Sequence, residues 1–176
     1  MPGFDALYKQ TVTLFNRVKA DDEAEYFIPT VLAGVHLIID HSANWNAYGG
    51  NQADNVTLNV RYRLSGKDAM IGSLTYCEPK DWKRLESFDG KITFRYGNDT
   101  DFDFFVKGVY TPDQNKMVSS ILVNNKTVTL STGFINDDAY GPFGFYNSLN
   151  KEYDHVFAVT QVSQYNLIRH FTLLAR

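Results

Sequence analysis

Short runs in which apolar and polar residues alternate recur along most of the chain. In the clearest run, NVTLNVRYR at 55–63, every second residue from Val56 to Tyr62 is apolar and the residues between them are polar. Weaker alternation of the same kind occurs at 9–18 and 91–96. Because a period of two residues places successive side chains on opposite faces of a strand, these runs predict half-buried β-strands.

Other segments predict strands through their composition. The segment 26–31 contains Pro29, which favours an edge or bulged strand, and 35–40 is apolar enough for a strand covered on both faces. The segment 102–110 predicts a further strand. The runs 116–123 and 126–131 flank Asn124 and Asn125. Asparagine tolerates positive φ, so this pair predicts a two-residue hairpin turn.

The segment 151–176 predicts a closing hairpin. Two apolar runs, 153–162 and 167–174, are separated by the short polar segment 163–166, which can serve as the turn. A hairpin that is apolar up to its last turn exposes apolar surface unless another part of the protein packs against it. We expect this surface to be covered by the rest of the sheet or by another subunit.

Helical signals are weak in comparison. The best candidate is 78–85 (EPKDWKRL), with Pro79 at an early position, and a short helical turn is predicted near 147–150. About nine strands and no long helix predict a mainly β fold. We expect one domain over 1–176, a small β-barrel or sandwich of antiparallel strands with at most one or two short helices. Long loop excursions are predicted at 64–90 and 132–150.

Composition and charge narrow the functional classes. The 176 residues carry a net charge of −3, and aromatic residues make up 15%, a content that suits sheets and interfaces. No Lys/Arg cluster forms a track for phosphates, so sequence-specific nucleic-acid binding is not predicted. We find no secretion signal and no apolar run long enough for a membrane helix. The single Cys77 predicts no internal disulfide and a reducing compartment.

The search for chemistry gives one metal candidate. Asp99, Asp101 and Asp103 alternate, a spacing that suits a hard cation, but the glycine and closing glutamate of an EF-hand are missing, which favours a solvated turn. The histidines lack zinc spacing, and Cys77 is interpreted as a small hydrophobe; the histidines are His36, His41, His155 and His170. No nucleophile motif or carboxylate pair occurs. We therefore predict no catalytic residue, no metal and no cofactor.

Aromatic residues concentrate in two predicted loops. These are Trp45 and Tyr48 in one loop, and Phe134, Tyr140, Phe143, Phe145 and Tyr146 in the other. Three interpretations stay open. The rings cap the ends of the barrel, they anchor the chain to neighbouring subunits, or they form a platform on which a sugar stacks. We take them as candidate subunit-interface residues.

The two ends of the chain resemble a known family. The segment Thr11–Val35 (TVTLFNR, an acidic turn, then YFIPTVLAGV), the strand NVTLNVRYR and the closing hairpin are similar to the head-closure proteins of tailed phages and prophages of Gram-positive bacteria. These stopper, or minor capsid, proteins lie in the phage neck. The chain also resembles an uncharacterised family encoded among phage structural genes. The long middle, 64–149, departs from the pattern, as an insertion or as the mark of another protein such as a tail terminator.

The resemblance implies a structural role without chemistry. It implies a β-barrel that assembles into a homo-oligomeric ring between the portal/adaptor proteins and the tail. Such a ring lies in the virion, after assembly in the bacterial cytoplasm, and it continues or closes the channel through which DNA passes non-specifically. Acidic loops would then face the lumen or a neighbouring ring; the candidates are Asp99, Asp101, Asp103, Asp137 and Asp138. A carbohydrate- or small-ligand-binding barrel is the alternative from another class.

Overall fold

The computed structural model describes residues 6–40, 56–97 and 102–176. Within these ranges the chain forms twelve strands, two short α-helices and two 3-10 turns. The strands are β1 (Gln10–Lys19), β2 (Glu25–Ile39), β3 (Val56–Arg61), β4 (Arg63–Ser65), β5 (Asp68–Ile71), β6 (Leu74–Tyr76), β7 (Lys91–Ile92), β8 (Phe104–Lys107), β9 (Met117–Val123), β10 (Lys126–Asn136), β11 (Val156–Tyr165) and β12 (His170–Ala175). The helices are α1 (Pro79–Trp82) and α2 (Gly144–Glu152), and the 3-10 turns are Gln114–Lys116 and Asp137–Tyr140.

Eight of the strands form one antiparallel sheet. Their order is β1-β8-β11-β12-β3-β2-β10-β9, and β1 also pairs with β2 along its whole length. The path from β1 through β8, β11, β12 and β3 to β2 therefore returns towards its start, and the sheet nearly closes a ring. Strands β10 and β9 continue the sheet beyond β2. The predicted mainly β, antiparallel fold is confirmed.

Two strands change partners part-way and so belong to two sides of the ring. Strand β2 pairs with β1 over 25–35 and with β3 over 36–39. Gly34, which lies just before this change, has a φ of 67°, a conformation that glycine adopts at little steric cost. Strand β11 pairs with β8 over 156–158 and with β12 over 159–165.

The structure corrects the prediction for the first strands. The segments 26–31 and 35–40 form one strand, not two. Pro29 lies opposite Phe15 of β1, while β10 pairs only with residues 26 and 27 of β2, and β3 only with 36–39. Within the described residues, the other side of β2 is thus locally an edge at Pro29. The missing N–H of the proline costs the sheet no hydrogen bond there.

Buried apolar side chains form three clusters, and β1 contributes to all of them. The barrel core includes Val12, Leu14, Leu58, Phe94, Phe105, Phe171 and Leu173. The aromatic cluster includes Phe15, Phe27, Phe104, Val106, Phe145 and Leu149. The α1 cluster includes Val18, Ile28, Trp82, Phe88, Val128 and Phe134. Because every residue from 12 to 18 is buried, the prediction that β1 is only half-buried was wrong.

The two predicted excursions contain more regular structure than expected. Strands β4 to β7 form a second, four-stranded sheet, and α1 ends at Trp82, earlier than the predicted 78–85. Strand β10 continues to Asn136, and α2 spans nine residues where a single turn was predicted. None of the helices in the described ranges is long and apolar enough to cross a membrane.

The two predicted hairpins have different outcomes. Asn124 and Asn125 have φ values of 53° and 61° between β9 and β10, so the predicted asparagine turn is confirmed. In the closing hairpin, Tyr165 pairs with His170. The turn therefore lies at 166–169, three residues later than predicted.

Candidate functional site

The structure separates the aromatic residues that were grouped as interface candidates. Phe134 and Phe145 are fully buried in the α1 cluster and the aromatic cluster. A ring enclosed by its own chain cannot contact another subunit, so for these two residues the prediction was wrong. Trp45 and Tyr48 lie outside the described residues.

The other three candidates reach the surface to different degrees. Tyr140 and Tyr146 are half-buried, with ring centroids 4.9 Å from Phe145 and 4.8 Å from Phe104, respectively. The Phe143 side chain is 69% exposed at the start of α2. The Nζ atom of Lys151 lies 5.4 Å from the centre of the Phe143 ring. The Phe143 ring can therefore contact a partner without any rearrangement of this chain.

The acidic candidates also lie in different environments. Asp99 and Asp101 fall outside the described residues. Asp138 is exposed, while Asp137 is half-buried and its Oδ1 accepts a hydrogen bond of 2.7 Å from the backbone N–H of Phe145. Asp103 has no exposed surface, so the expectation that it faces a lumen, a neighbouring ring or solvent was wrong.

Asp103 is the centre of a buried polar network. Its Oδ1 accepts hydrogen bonds from the backbone N–H of Arg17 at 3.1 Å and from the Arg95 guanidinium at 2.9 Å. Its Oδ2 accepts from Asn16 Nδ2 at 3.0 Å and from the backbone N–H of Arg95 at 2.8 Å. Asn16 Nδ2 also donates to the carbonyl of Thr93, and the Arg95 guanidinium donates to the carbonyl of Arg17. The carboxylate is thus paired and saturated, as a buried charge must be.

The backbone of Asp103 extends the same connection. Its N–H donates to the carbonyl of Arg95, and its carbonyl accepts from the N–H of Val159. The residue therefore ties β1, the extended segment 93–95 and β11 together. With the carboxylate and backbone groups of Asp103 satisfied internally, we interpret the network as a structural element and not as a reacting centre.

A basic cleft lies beside this network, between α1 and the segment 95–96. Its volume is about 660 Å³, and its walls are formed by Pro79, Lys80, Lys83, Arg84, Arg95 and Tyr96. A second cavity of about 430 Å³ shares Lys83 and Arg95 with it and is also lined by Arg17, Lys19 and Trp82. We call the two together the basic cleft. Its first part is lined by four cationic side chains, and no carboxylate of the described residues lines that part.

The cleft has a buried hydrogen-bond donor. Trp82 is 2% exposed, and its Nε1 has no hydrogen-bond partner within the described part of the chain. An indole N–H can only donate, so it is suited to an acceptor oxygen. Tyr96 forms the other wall and is 57% exposed.

Sequence reasoning missed this cleft, although one signal was present. Lys80, Lys83 and Arg84 stand at i, i+3 and i+4 in EPKDWKRL, a spacing that places side chains on one side of a helical turn. Arg95 comes from a separate segment that only the fold brings alongside. The search for a continuous basic run was therefore unable to detect the group.

A second surface feature is the tip of the closing hairpin. Leu167 is 99% exposed, and its neighbours Ile168 and Tyr165 are about half exposed. The single proton of the Tyr62 hydroxyl is shared between two acceptors, the carbonyl of Tyr165 at 3.0 Å and Asn166 Oδ1 at 2.7 Å. We call residues 165–168 the apolar tip. Its backbone is fixed by Tyr62 while its apolar side chains are left in water.

Other reactive side chains form no site in the described ranges. No group of three or more His, Cys, Asp or Glu there is placed to hold a metal ion. Burial, together with the nearby Asp81 carboxylate, raises the pKa of the Cys77 thiol. A raised pKa lowers the thiolate fraction and hence the nucleophilicity at neutral pH.

The chain matches a protein family over nearly its whole length. The model of a family of unknown function, DUF6751, matches residues 7–176. No curated protein and no solved structure matches the chain.

Proposed function

We propose that this chain, which belongs to the DUF6751 family of unknown function, is a structural virion protein of the phage neck. In this proposal, copies of the chain form a ring that joins the portal/adaptor proteins to the tail and continues or closes the DNA channel. The sequence resemblance described above suggests the class. The surfaces of the barrel supply the physical argument.

The apolar tip is the observation that carries the proposal. Transfer of side chains such as Leu167 and Ile168 from water into an interface is favourable. It stabilises the complex by roughly 1.5–3 kcal/mol for each fully buried aliphatic side chain. Because Tyr62 already holds residues 165 and 166, less conformational entropy is lost when the tip docks. Leu167 is the most exposed large apolar side chain of the described residues, and such a projection is well suited to insertion into a neighbour.

We assign a second copy of the chain as that neighbour. A ring needs two different, complementary surfaces on each subunit, since head-to-tail contacts close only in this way. The apolar tip between β11 and β12 supplies one exposed apolar surface. Phe143 on α2 supplies a second on a separate element. An isologous dimer would need only one such surface, because both subunits use the same patch.

The test is the assembly state in the presence of the structural proteins encoded by neighbouring genes. We expect native mass spectrometry to detect rings of the wild-type chain with the portal/adaptor or tail protein, and to detect none for the Leu167→Ser/Ile168→Ser variant. Ile38→Ser, which changes another exposed aliphatic residue on β2, is the matched control and should still assemble.

Two outcomes would contradict the proposal. Rings of unchanged mass with the Leu167→Ser/Ile168→Ser variant would remove the apolar tip from the interface. A chain that stays monomeric with every neighbouring protein, and whose melting temperature rises with a sugar, would favour a ligand-binding barrel. Whether the rings form with the portal/adaptor or only with the tail protein separates head closure from a tail terminator.

A further inference from the structure

We infer that the basic cleft binds phosphate groups and that its ligand is a single-stranded nucleic acid segment. The inference goes beyond the proposed structural role and does not depend on it. The cleft is formed within one chain, so it exists whether or not a ring assembles.

Charge supports an anionic ligand. Lys80, Lys83, Arg84 and Arg95 line the first part of the cleft. Arg95 is compensated by Asp103, but Lys80 and Arg84 have no carboxylate partner among the residues that the structure describes. The chain as a whole has a net charge of −3, so this concentration of positive charge is local and not a property of the whole surface. A local positive field attracts phosphates.

Among the described residues, no acidic group lines the first part of the cleft, so the positive field is strongest there. Asp21 lines the second cavity, where its two oxygens accept hydrogen bonds from the backbone N–H groups of Asn124 at 2.7 Å and Asn125 at 2.8 Å and are held away from the first part. Glu78 and Asp81 lie on or next to α1 without lining either part of the cleft. Glu86 is paired with Lys126.

The unpartnered Trp82 Nε1 is a second, independent indication of a ligand. Leaving a buried donor unsatisfied costs roughly 1–3 kcal/mol. Trp82 lines the second cavity, and an acceptor oxygen would recover that loss where the cavity wall opens to the buried Nε1. Phosphate and phosphodiester oxygens are acceptors only, which matches both the indole donor and the cationic side chains.

The shape favours a strand over a single ion. The two parts of the cleft meet at Lys83 and Arg95, so phosphates in both parts can be bound at once. The exposed ring of Tyr96, on the wall of the first part, offers a surface on which a base can stack. Stacking on an aromatic ring together with neutralised phosphates is how proteins hold single strands without reading their sequence.

The experiment measures binding of a fluorescently labelled oligothymidylate by anisotropy at several salt concentrations. We expect salt-dependent binding, weakened about tenfold or more by Lys80→Ala/Arg84→Ala, with the logarithmic salt dependence reduced by about 1.4 for two lost single-strand phosphate contacts. Both side chains are exposed, so the variant should fold, which circular dichroism would verify.

The matched control is Arg63→Ala/Lys67→Ala. It removes one arginine and one lysine from exposed positions around the β4–β5 turn, outside the cleft. We expect it to bind like the wild type. A control that weakens binding as much as the cleft variant would show diffuse charge attraction and overturn the inference.

Competition distinguishes the sources of the phosphate. Unlabelled oligothymidylate should displace the probe at a far lower concentration than inorganic phosphate or a nucleoside triphosphate does. Equal displacement by the nucleotide would overturn the strand as the ligand. Displacement by polyglutamate, but not by unlabelled oligothymidylate, would assign the cleft to an acidic protein segment and overturn the inference. Absence of binding at low salt would also overturn it, without affecting the proposal that the chain forms a ring.

Discussion

Asp103 shows how one residue can connect segments that are far apart in the sequence. Its carboxylate accepts from Asn16 and from the backbone of Arg17, 87 and 86 residues away, as well as from Arg95. Two of its donors are backbone N–H groups, those of Arg17 and Arg95. A hydrophobic replacement of the ion pair would leave these N–H groups without an acceptor.

We therefore expect Asp103→Ala to lower the free energy of unfolding by about 3–5 kcal/mol, the usual cost of removing one partner of a buried pair. The measurement is urea denaturation followed by circular dichroism. The double variant Asp103→Leu/Arg95→Met should not restore the loss, because the backbone donors stay unsatisfied. Asp138→Ala, an exposed change, is the control and should stay within about 0.5 kcal/mol. A loss below about 1 kcal/mol for Asp103→Ala would contradict this role.

At the scale of elements, the start of α2 depends on a residue outside the helix. Asp137, in the preceding 3-10 turn, accepts a hydrogen bond from the N–H of Phe145 near the N-terminus of the helix. Gly144 has a φ of 77°, and a Cβ there would lie 2.7 Å from Asp137 Oδ1. Glycine is required both for the backbone conformation and for the approach of the carboxylate.

Comparing two glycines can separate these requirements. Gly141 has a similar φ of 82°, but a Cβ there would meet nothing within 4 Å. Gly141 combines this φ with a ψ of −167°, a region that is essentially restricted to glycine, so we expect Gly141→Ala to cost about 1–3 kcal/mol of stability through backbone strain alone. Gly144→Ala should cost about 1 kcal/mol more, because it also displaces the capping carboxylate. Thermal denaturation of both variants checks this, and equal losses would mean that the Asp137 contact contributes nothing.

The elements that could be predicted from sequence are those whose pattern is decided locally. The alternation at 55–63 correctly places Val56, Leu58 and Val60 in the interior, and the Asn124–Asn125 turn follows from the tolerance of asparagine for positive φ. The turn of the closing hairpin was misplaced because its polar residues continue the strand. Tyr165 stays paired with His170 although both lie in a polar stretch, so register and not polarity decides where the turn falls.

The candidate sites were less predictable, since each is assembled from distant segments. The exposed apolar residues at 165–168 were predicted to be covered, and nothing local indicates that Leu167 is left outside. The cleft combines α1 with Arg95, and Asp103 was assigned to a solvated turn as one of three alternating aspartates, although Phe102 and Phe104 flank it. Only the pairing of β1, β8 and β11 places Asp103 in the interior.

At the scale of the whole molecule, two half-buried phenols make the fold sensitive to alkali. Burial, reinforced by the Glu78 carboxylate, raises the pKa of Tyr76 above its usual value of 10.0. Burial and a hydrogen bond with the Tyr140 hydroxyl raise the pKa of Tyr110 in the same direction. The folded state thus keeps two protons that the unfolded chain loses above pH 10, so stability present below that pH falls as the pH rises further.

We expect the free energy of unfolding to decrease above about pH 10, by up to about 1.4 kcal/mol per pH unit for each of these tyrosines. Urea denaturation at a series of pH values measures the slope. The Tyr110→Phe variant should show a shallower decline in the free energy of unfolding than the wild type. It has one phenol fewer whose pKa is higher in the folded state than in the unfolded chain. Tyr165→Phe, at an exposed ring, should decline like the wild type. A Tyr110→Phe slope identical to that of the wild type would contradict the assignment.

The position of β12 between β3 and β11 has a consequence for synthesis in the cell. Ala175 pairs with Val56 on one side and with Val159 on the other, so the circuit of strands is incomplete until residue 175 is available to the sheet. Until then, β3 and β11 have apolar edges without a partner, a state that is prone to aggregation. A chain that has not yet added β12 therefore gains little by folding early.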